Sequence, residues 1–315
     1  MHSLETEIRE LRAGGILDAA EEDRLLRLDS GRRFSVHAQL AFLSYAGVAS
    51  VVTGVGLILK EDFDRIGPLT ICLGLAALAL VCIGAAVRTQ WRGGQRSLAG
   101  DYVLLLGVLI GTADIGFAES QFHWFGEAWT WHLLWLALLQ AALAYWLDSR
   151  LVLGVALTTL AAWFGLETHL YRLFDRHTAI WQYGLRAIAC ALLVLGWRQF
   201  ARMRGWRPGF GEVYEHFAAH LGFAGALALS FDHDWRLAGL ALLAVAAWAC
   251  MSRARRLREV SFAVYAILYA ALGLCVVSVQ VLREPLLSAM IVLCLLVGSA
   301  VLLWNVQREL REGAA

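Results

Sequence analysis

The sequence predicts an all-α fold: a polytopic transmembrane helix bundle of about ten spans, with both termini cytosolic and a short cytosolic helical hairpin at the N-terminus. Three observations predict it. Of 315 residues, 59% are apolar and only 17% charged, with a mean hydropathy of +0.61. A water-soluble fold of this length could not hide so much apolar side chain, because most of its surface faces solvent. Beyond residue 38, apolar runs of near-membrane length follow one another with short polar breaks. The cationic residues alternate in number from one break to the next. The composition also excludes disordered, collagenous and coiled-coil classes. A net charge of +1 points to no nucleic-acid partner.

Residues 1–38 are polar, without an early apolar core, so no cleavable signal peptide is expected. Leu4, Ile8 and Leu11 recur at helical spacing and then meet Gly14 and Gly15. Asp18, with Glu21 three residues on, has the pattern of a capping box opening a second helix that ends near Gly31. The hairpin is either a docking module for a protein partner or a cap packed on the helix ends.

The apolar runs are 40–59, 66–87, 102–118, 129–147, 151–166, 183–199, 217–231, 237–251, 260–282 and 286–306. A crossing takes about 20 residues. The bundle is therefore expected over 39–306, with 307–315 as a cytosolic tail. The runs 217–231 and 237–251 are short; they either cross or form a re-entrant pair. Pro68 and Pro285 fall in first turns, where a missing N–H costs nothing.

With the N-terminus inside, 20 of the 27 cationic residues fall on the cytosolic side. They lie at six positions in residues 1–38, at Arg88, Arg92 and Arg96, at Arg150, in 198–207, in 253–258, and at Arg308 and Arg311. Six fall outside: Lys60, Arg65, Arg172, Arg176, Arg236 and Arg283. This is the positive-inside pattern and implies a multi-pass protein of a bacterial inner membrane. Trp124, Trp129, Trp131 and Trp135 mark an outer edge, and Trp91, Trp197 and Trp206 inner edges. Five spans before about residue 170 and five after would be compatible with inverted halves. The cytosolic arginine clusters suit anionic lipid headgroups.

Six cysteines sit within or beside the apolar runs without paired spacing, so free packed thiols are expected. Nucleotide, hydrolase and zinc-protease motifs are absent, and no cofactor or metal is expected. Asp232-His233-Asp234 reads as a solvated loop, since three adjacent side chains cannot converge on one ion.

Ionisable residues inside apolar runs are costly and therefore informative. Gly107, Gly111 and Asp114 share one helix face, and the small-xxx-small pair favours close helix contact. His132, Glu167 and Arg186 are expected at similar depth in the outer leaflet, with Gln121, His123, Glu119 and Glu127 just above. Asp114, His132, Glu167 and Arg186 thus form a candidate polar cluster, with Asp114–Arg186 as its ion pair. It is either a proton-linked or anion-binding site opening outward, or a structural pair that pins helix register.

Gln121-Phe122-His123, Leu134-Trp135, Leu143-Ala144-Tyr145 and the turn at Asp148-Ser149-Arg150 follow a charged first segment and two paired spans. Over about its first half the chain resembles the bacterial predicted membrane proteins grouped as domain-of-unknown-function 2157. The resemblance implies a small cytosolic N-terminal region joined to a multi-span body. If the family shares a site, it implies Gln121 and His123 as members. Where such proteins often carry Asn-Trp after the first span, this chain has Lys60-Glu61-Asp62-Phe63.

Three functions compete on the sequence: a non-enzymatic membrane component (accessory subunit or sensor), a small-solute transporter, and a membrane enzyme with outer-face histidines and carboxylates. The first is preferred.

Overall fold

A computed structural model describes residues 67–93, 98–124, 126, 130–165, 180–281 and 284–312, together with Arg12, 18–22 and scattered positions between 43 and 54. The described helices are α1 (Pro68–Gly93), α2 (Leu98–Phe122), α3 (Thr130–Leu147), α4 (Arg150–Trp163), α5 (Ile180–Met203), α6 (Gly211–Phe231), α7 (Arg236–Leu257), α8 (Val260–Val281) and α9 (Pro285–Glu312). A 3₁₀ turn, Pro208–Phe210, leads into α6. No strand occurs among the described residues.

Among the described residues, six helices are long and apolar enough to cross a membrane: α1, α2, α5, α7, α8 and α9. The 237–251 run belongs to α7, whose 22 residues make it one of these six. The 217–231 run extends N-terminally into α6, which has 21 residues but carries Glu212, Glu215, His216 and His220 in its first half. α4 falls short of the crossing expected for 151–166. Its 14 residues rise about 21 Å, against a hydrocarbon core of about 30 Å. The helix stops because Gly165 turns left-handed at φ +77° and its N–H bonds to the Ala162 carbonyl. The run 40–59 lies almost wholly outside the described residues.

What faces outward shows which solvent the fold is built for. The interior is rich in small side chains: Ala86, Ala144, Ala156, Ala187, Ala191, Ala218, Ala254 and Ala263 are all buried. Many of the large ones point away: Leu73 is 64% exposed, Leu192 64%, Leu293 62% and Trp304 71%. In water so much outward apolar surface would drive association. In lipid, helices associate through small residues that let backbones approach, while leucine faces the acyl chains.

The chain divides into two compact units, 39–225 and 226–315 with 1–38. In the first unit, α1 and α2 pack along the glycine face read from the sequence. A Cβ at Gly107 would lie 2.9 Å from Cys82 Cβ, and one at Gly111 would lie 3.7 Å from Ala79 Cβ. α3 and α4 form a tight hairpin. Asp148 adopts a left-handed φ of 54°, the Ser149 N–H bonds to the Ala144 carbonyl, and the buried Ser149 hydroxyl caps α4 by accepting from the Val152 N–H at 3.5 Å. α5 and α6 meet closely at Gly225, where a Cβ would lie 2.8 Å from the Gly184 carbonyl oxygen. The core gathers Leu104, Val108, Leu147, Leu153, Leu157, Val194 and Phe210.

In the second unit, α7 folds back on the end of α6 through Gly239, whose Cβ would strike the Ser230 backbone nitrogen at 2.5 Å. Ala254, Phe262, Ala263, Ile267 and Val306 pack α7, α8 and α9 together. Near the N-terminus, Asp18 and Glu21 form the capping box read from the sequence. The Glu21 N–H donates to Asp18 Oδ1 at 2.7 Å, and the Asp18 N–H donates to Glu21 Oε2 at 3.1 Å. Arg12 pairs with the buried Glu22. The rest of the 1–38 hairpin lies outside the described residues. All six cysteines are free thiols.

Candidate functional site

Of the polar residues expected to cluster, the structure describes Asp114, His132, Arg186, Gln121 and His123. Asp114 faces α1, as the shared face with Gly107 and Gly111 requires, and its carboxyl interacts with the Cys72 thiol. Its Oδ1 is buried without a hydrogen-bond partner. Arg186 is exposed on α5, its guanidinium 6.0 Å from the Tyr183 ring centroid and its Nη1 against Gly165. The expected Asp114–Arg186 pair therefore does not form. The reason is geometric: a helix face can be used once, and the small residues beside Asp114 commit that face to α1. His132 is buried at the start of α3, within the electrostatic reach of Glu119 at the end of α2. Gln121 and His123 are exposed at the C-terminal end of α2, with His123 left-handed at φ 50°. Glu167 and Glu127 lie outside the described residues, as do His169, His177 and the 60–65 loop. Asp232–Asp234 form a local turn, the Asp234 N–H donating to Asp232 Oδ1 at 3.0 Å. No cluster of metal-ligating side chains occurs among the described residues.

A different site emerges between α3, α4 and α5: a groove of about 1550 Å³. Its walls are periodic stripes. α3 contributes Leu134, Ala137, Leu138, Ala141, Ala142 and Tyr145; α4 contributes Leu153, Ala156, Leu157, Leu160 and Trp163; α5 contributes Leu193, Val194, Trp197 and Phe200. The i, i+3, i+4, i+7 spacing puts each set on one face. The alanines of α3 and Ala156 leave the volume open, where larger side chains would close it.

One end of the groove is polar. Asp148, Arg150, Arg207 and Tyr214 line it, together with Gly205 and Gly209. The hydroxyls of Tyr145 and Tyr214 are 2.9 Å apart, and the Trp197 Nε1–H donates to the Tyr145 hydroxyl at 3.0 Å. Phe210 meets the Tyr145 ring edge-on at 5.1 Å. Arg207 Nε donates to the Tyr145 carbonyl at 3.2 Å, and its Nη1 lies 3.5 Å from Asp148 Oδ2. Both Arg207 (φ 39°) and Asp148 are left-handed non-glycine residues, so a strained pair faces across the mouth. Arg150 Nη1 donates to Glu212 Oε2 at 3.0 Å, and Arg198 pairs with Glu215. Glu215 thus answers one arginine of the basic 198–207 stretch, while Glu212 reaches across to Arg150 instead.

With this geometry in view, comparison with known families adds one result. Residues 9–153 match the family model described as "Predicted membrane protein (DUF2157)". The match covers the half of the chain that carries the resemblance. It spans α1, α2, α3 and the opening of α4, and so includes one wall of the groove. α5, the arginine-rich mouth and α6 to α9 lie beyond it. No curated protein and no solved structure matches the chain.

The sequence contained signals for the groove that single-residue reading does not register. The alanines that α3 gives the groove recur at positions 137, 141 and 142, and the tryptophans at 197 and 206 flank a glycine-bearing arginine turn. What makes them a site is that three stripes converge, which only tertiary packing supplies.

Proposed function

We propose that this chain is a non-enzymatic component of a bacterial inner membrane, with about ten spans, of which α4 crosses as a short helix in a locally thinned bilayer, and cytosolic termini, and that it holds a chain-bearing amphiphile in the α3–α4–α5 groove. It would act as an accessory subunit or sensor, with the N-terminal hairpin as its contact to a protein partner. The supporting observation is the groove's composition: apolar along its length and polar at one end only. A hydrocarbon chain fits such a space, whereas a dissolved ion or metabolite would find no polar partner along it. The polar end belongs to the cytosolic leaflet in the positive-inside assignment.

The test is thiol labelling of Ala141→Cys in nanodiscs, read site by site by peptide mass spectrometry. Cys294, exposed on α9, serves as the reference for a lipid-facing thiol. The reading expects Cys at 141 to react with a lipid-soluble maleimide as Cys294 does, and to resist a water-soluble one. Reaction with the water-soluble reagent would indicate an aqueous path and overturn it.

A second reading, a small-solute transporter of two inverted five-helix halves, draws on one observation. Asp114 keeps a buried carboxylate oxygen without a hydrogen-bond partner, the kind of group that proton-linked carriers use. Asp114 lies off the groove, so this reading needs a separate path along α1 and α2. For an enzyme, His132 beside Glu119 is the nearest pairing, and neither lines the groove.

A further inference from the structure

We propose that the mouth of the groove selects the headgroup of its occupant, and that the occupant is an anionic glycerophospholipid of the leaflet on which Arg207 lies. The proposal rests on the groove being lipid-filled, as read above.

The dimensions fit a long chain. From Arg150 to Trp163 the α4 wall rises about 20 Å, somewhat more than one leaflet of a core about 30 Å thick. The volume of about 1550 Å³ exceeds the roughly 300–1,000 Å³ usual for compact small-molecule sites. An occupant with its tail among Leu153, Leu157 and Leu160 would bring its headgroup to Arg150 and Arg207.

The charge at that end is complementary to a phosphate. Arg150 and Arg207 line the mouth with Asp148 as the single carboxylate. Around them Arg198, Arg202 and Arg204 outnumber Glu212 and Glu215. The pairs that occupy the two lining arginines are weakly held. Arg207 is 3.5 Å from Asp148, and the Arg150–Glu212 side chains are 51% and 68% exposed. Exposed pairs of this kind contribute little, so a phosphate can displace them. A guanidinium binds phosphate through two parallel N–H bonds, which a carboxylate at 3.5 Å does not match. The loop opposite is glycine-lined, and a Cβ at Gly209 would lie 3.0 Å from Arg150 Nη2. Any larger residue there would press on the guanidinium. Trp197 and Trp206 flank the mouth, at the depth where aromatic rings meet headgroups.

The experiment uses the intact chain in phosphatidylcholine nanodiscs. Phosphatidylglycerol or phosphatidylcholine carrying the same photoreactive acyl chain is added at equal mole fraction, and cross-links are mapped by peptide. Groove labelling near Ala141, Leu157 and Gly196 is divided by labelling near Leu293 on lipid-facing α9. The proposal expects this ratio to be at least about fivefold higher for the anionic probe, the factor one arginine near an anionic lipid contributes. Arg207→Gln should lower the preference about fivefold, Arg150→Gln together with Arg207→Gln should bring the two probes together, and Arg207→Lys should retain part of the preference. If both probes label the groove equally in the unsubstituted chain, headgroup selection is refuted and the lipid-filled groove stands. If neither labels the groove above the α9 reference, both readings fall.

Discussion

Replacing Gly107 by alanine probes the α1–α2 contact, and the structure sets the size of the effect. The new methyl carbon would lie 2.9 Å from Cys82 Cβ, 3.0 Å from Ile83 Cγ1 and 3.1 Å from the Ala79 carbonyl oxygen. Two of these are side-chain atoms close to their own backbone and one is backbone, so the helices must separate. Gly116 on the same helix has nothing within 4 Å of its Cβ position. Both substitutions gain the helix preference of alanine over glycine, about 0.8–1.0 kcal/mol, and that gain cancels in the comparison. What is left is overpacking, about 1–3 kcal/mol. Gly107→Ala should therefore be less stable than Gly116→Ala by about 1–3 kcal/mol. Unfolding both variants by titrating dodecyl sulfate into mild-detergent micelles, followed by circular dichroism, measures the difference. Equal stability, or a more stable Gly107→Ala, would refute close packing along this face.

Three further outcomes follow from the same contacts. Tyr145→Phe removes the hydroxyl that serves both Tyr214 and Trp197, and should cost about 1–3 kcal/mol. A double-mutant cycle with Tyr214→Phe should show a coupling of about 0.5–3 kcal/mol, against near zero for independent residues. Gln140 is buried and donates to Thr112 Oγ1 at 2.8 Å, while its own Oε1 has no hydrogen-bond partner. Gln140→Leu gives up one interhelical bond of about 0.6 kcal/mol and removes an orphaned carbonyl that costs about 1–3 kcal/mol. It should raise the detergent melting temperature, and a lower one would contradict this accounting. Arg186→Ala should change stability by no more than about 1 kcal/mol, because its described contact is an exposed cation–π pair. A large loss in the same unfolding assay would restore a buried charge partner.

The solvent could be read from the sequence because composition and arginine placement are one-dimensional quantities. The Gly107–Gly111–Asp114 face and the Asp18–Glu21 capping box were legible for a similar reason. Each depends on spacing along one helix or on neighbours in the chain. The Asp114–Arg186 pair was not, because equal depth in a bilayer says nothing about azimuth. Residues expected at one level can face different partners, as Asp114 and Arg186 do. α4 looked long enough in hydropathy because apolar residues continue to 166, whereas the helix ends at Trp163, before the left-handed turn at Gly165, which hydropathy does not register. The groove was hidden for the opposite reason. No residue in it is unusual, and its alanines acquire meaning only when three helices surround the space they leave.

A structure of the chain in a lipid nanodisc tests the central claim most directly. The account predicts a continuous tube of density between the α3–α4 hairpin and α5, running from Arg207 past Ala141 and Leu157 towards Trp163. A groove closed by contact between Leu138, Leu157 and Leu193, or filled by ordered water, would contradict it.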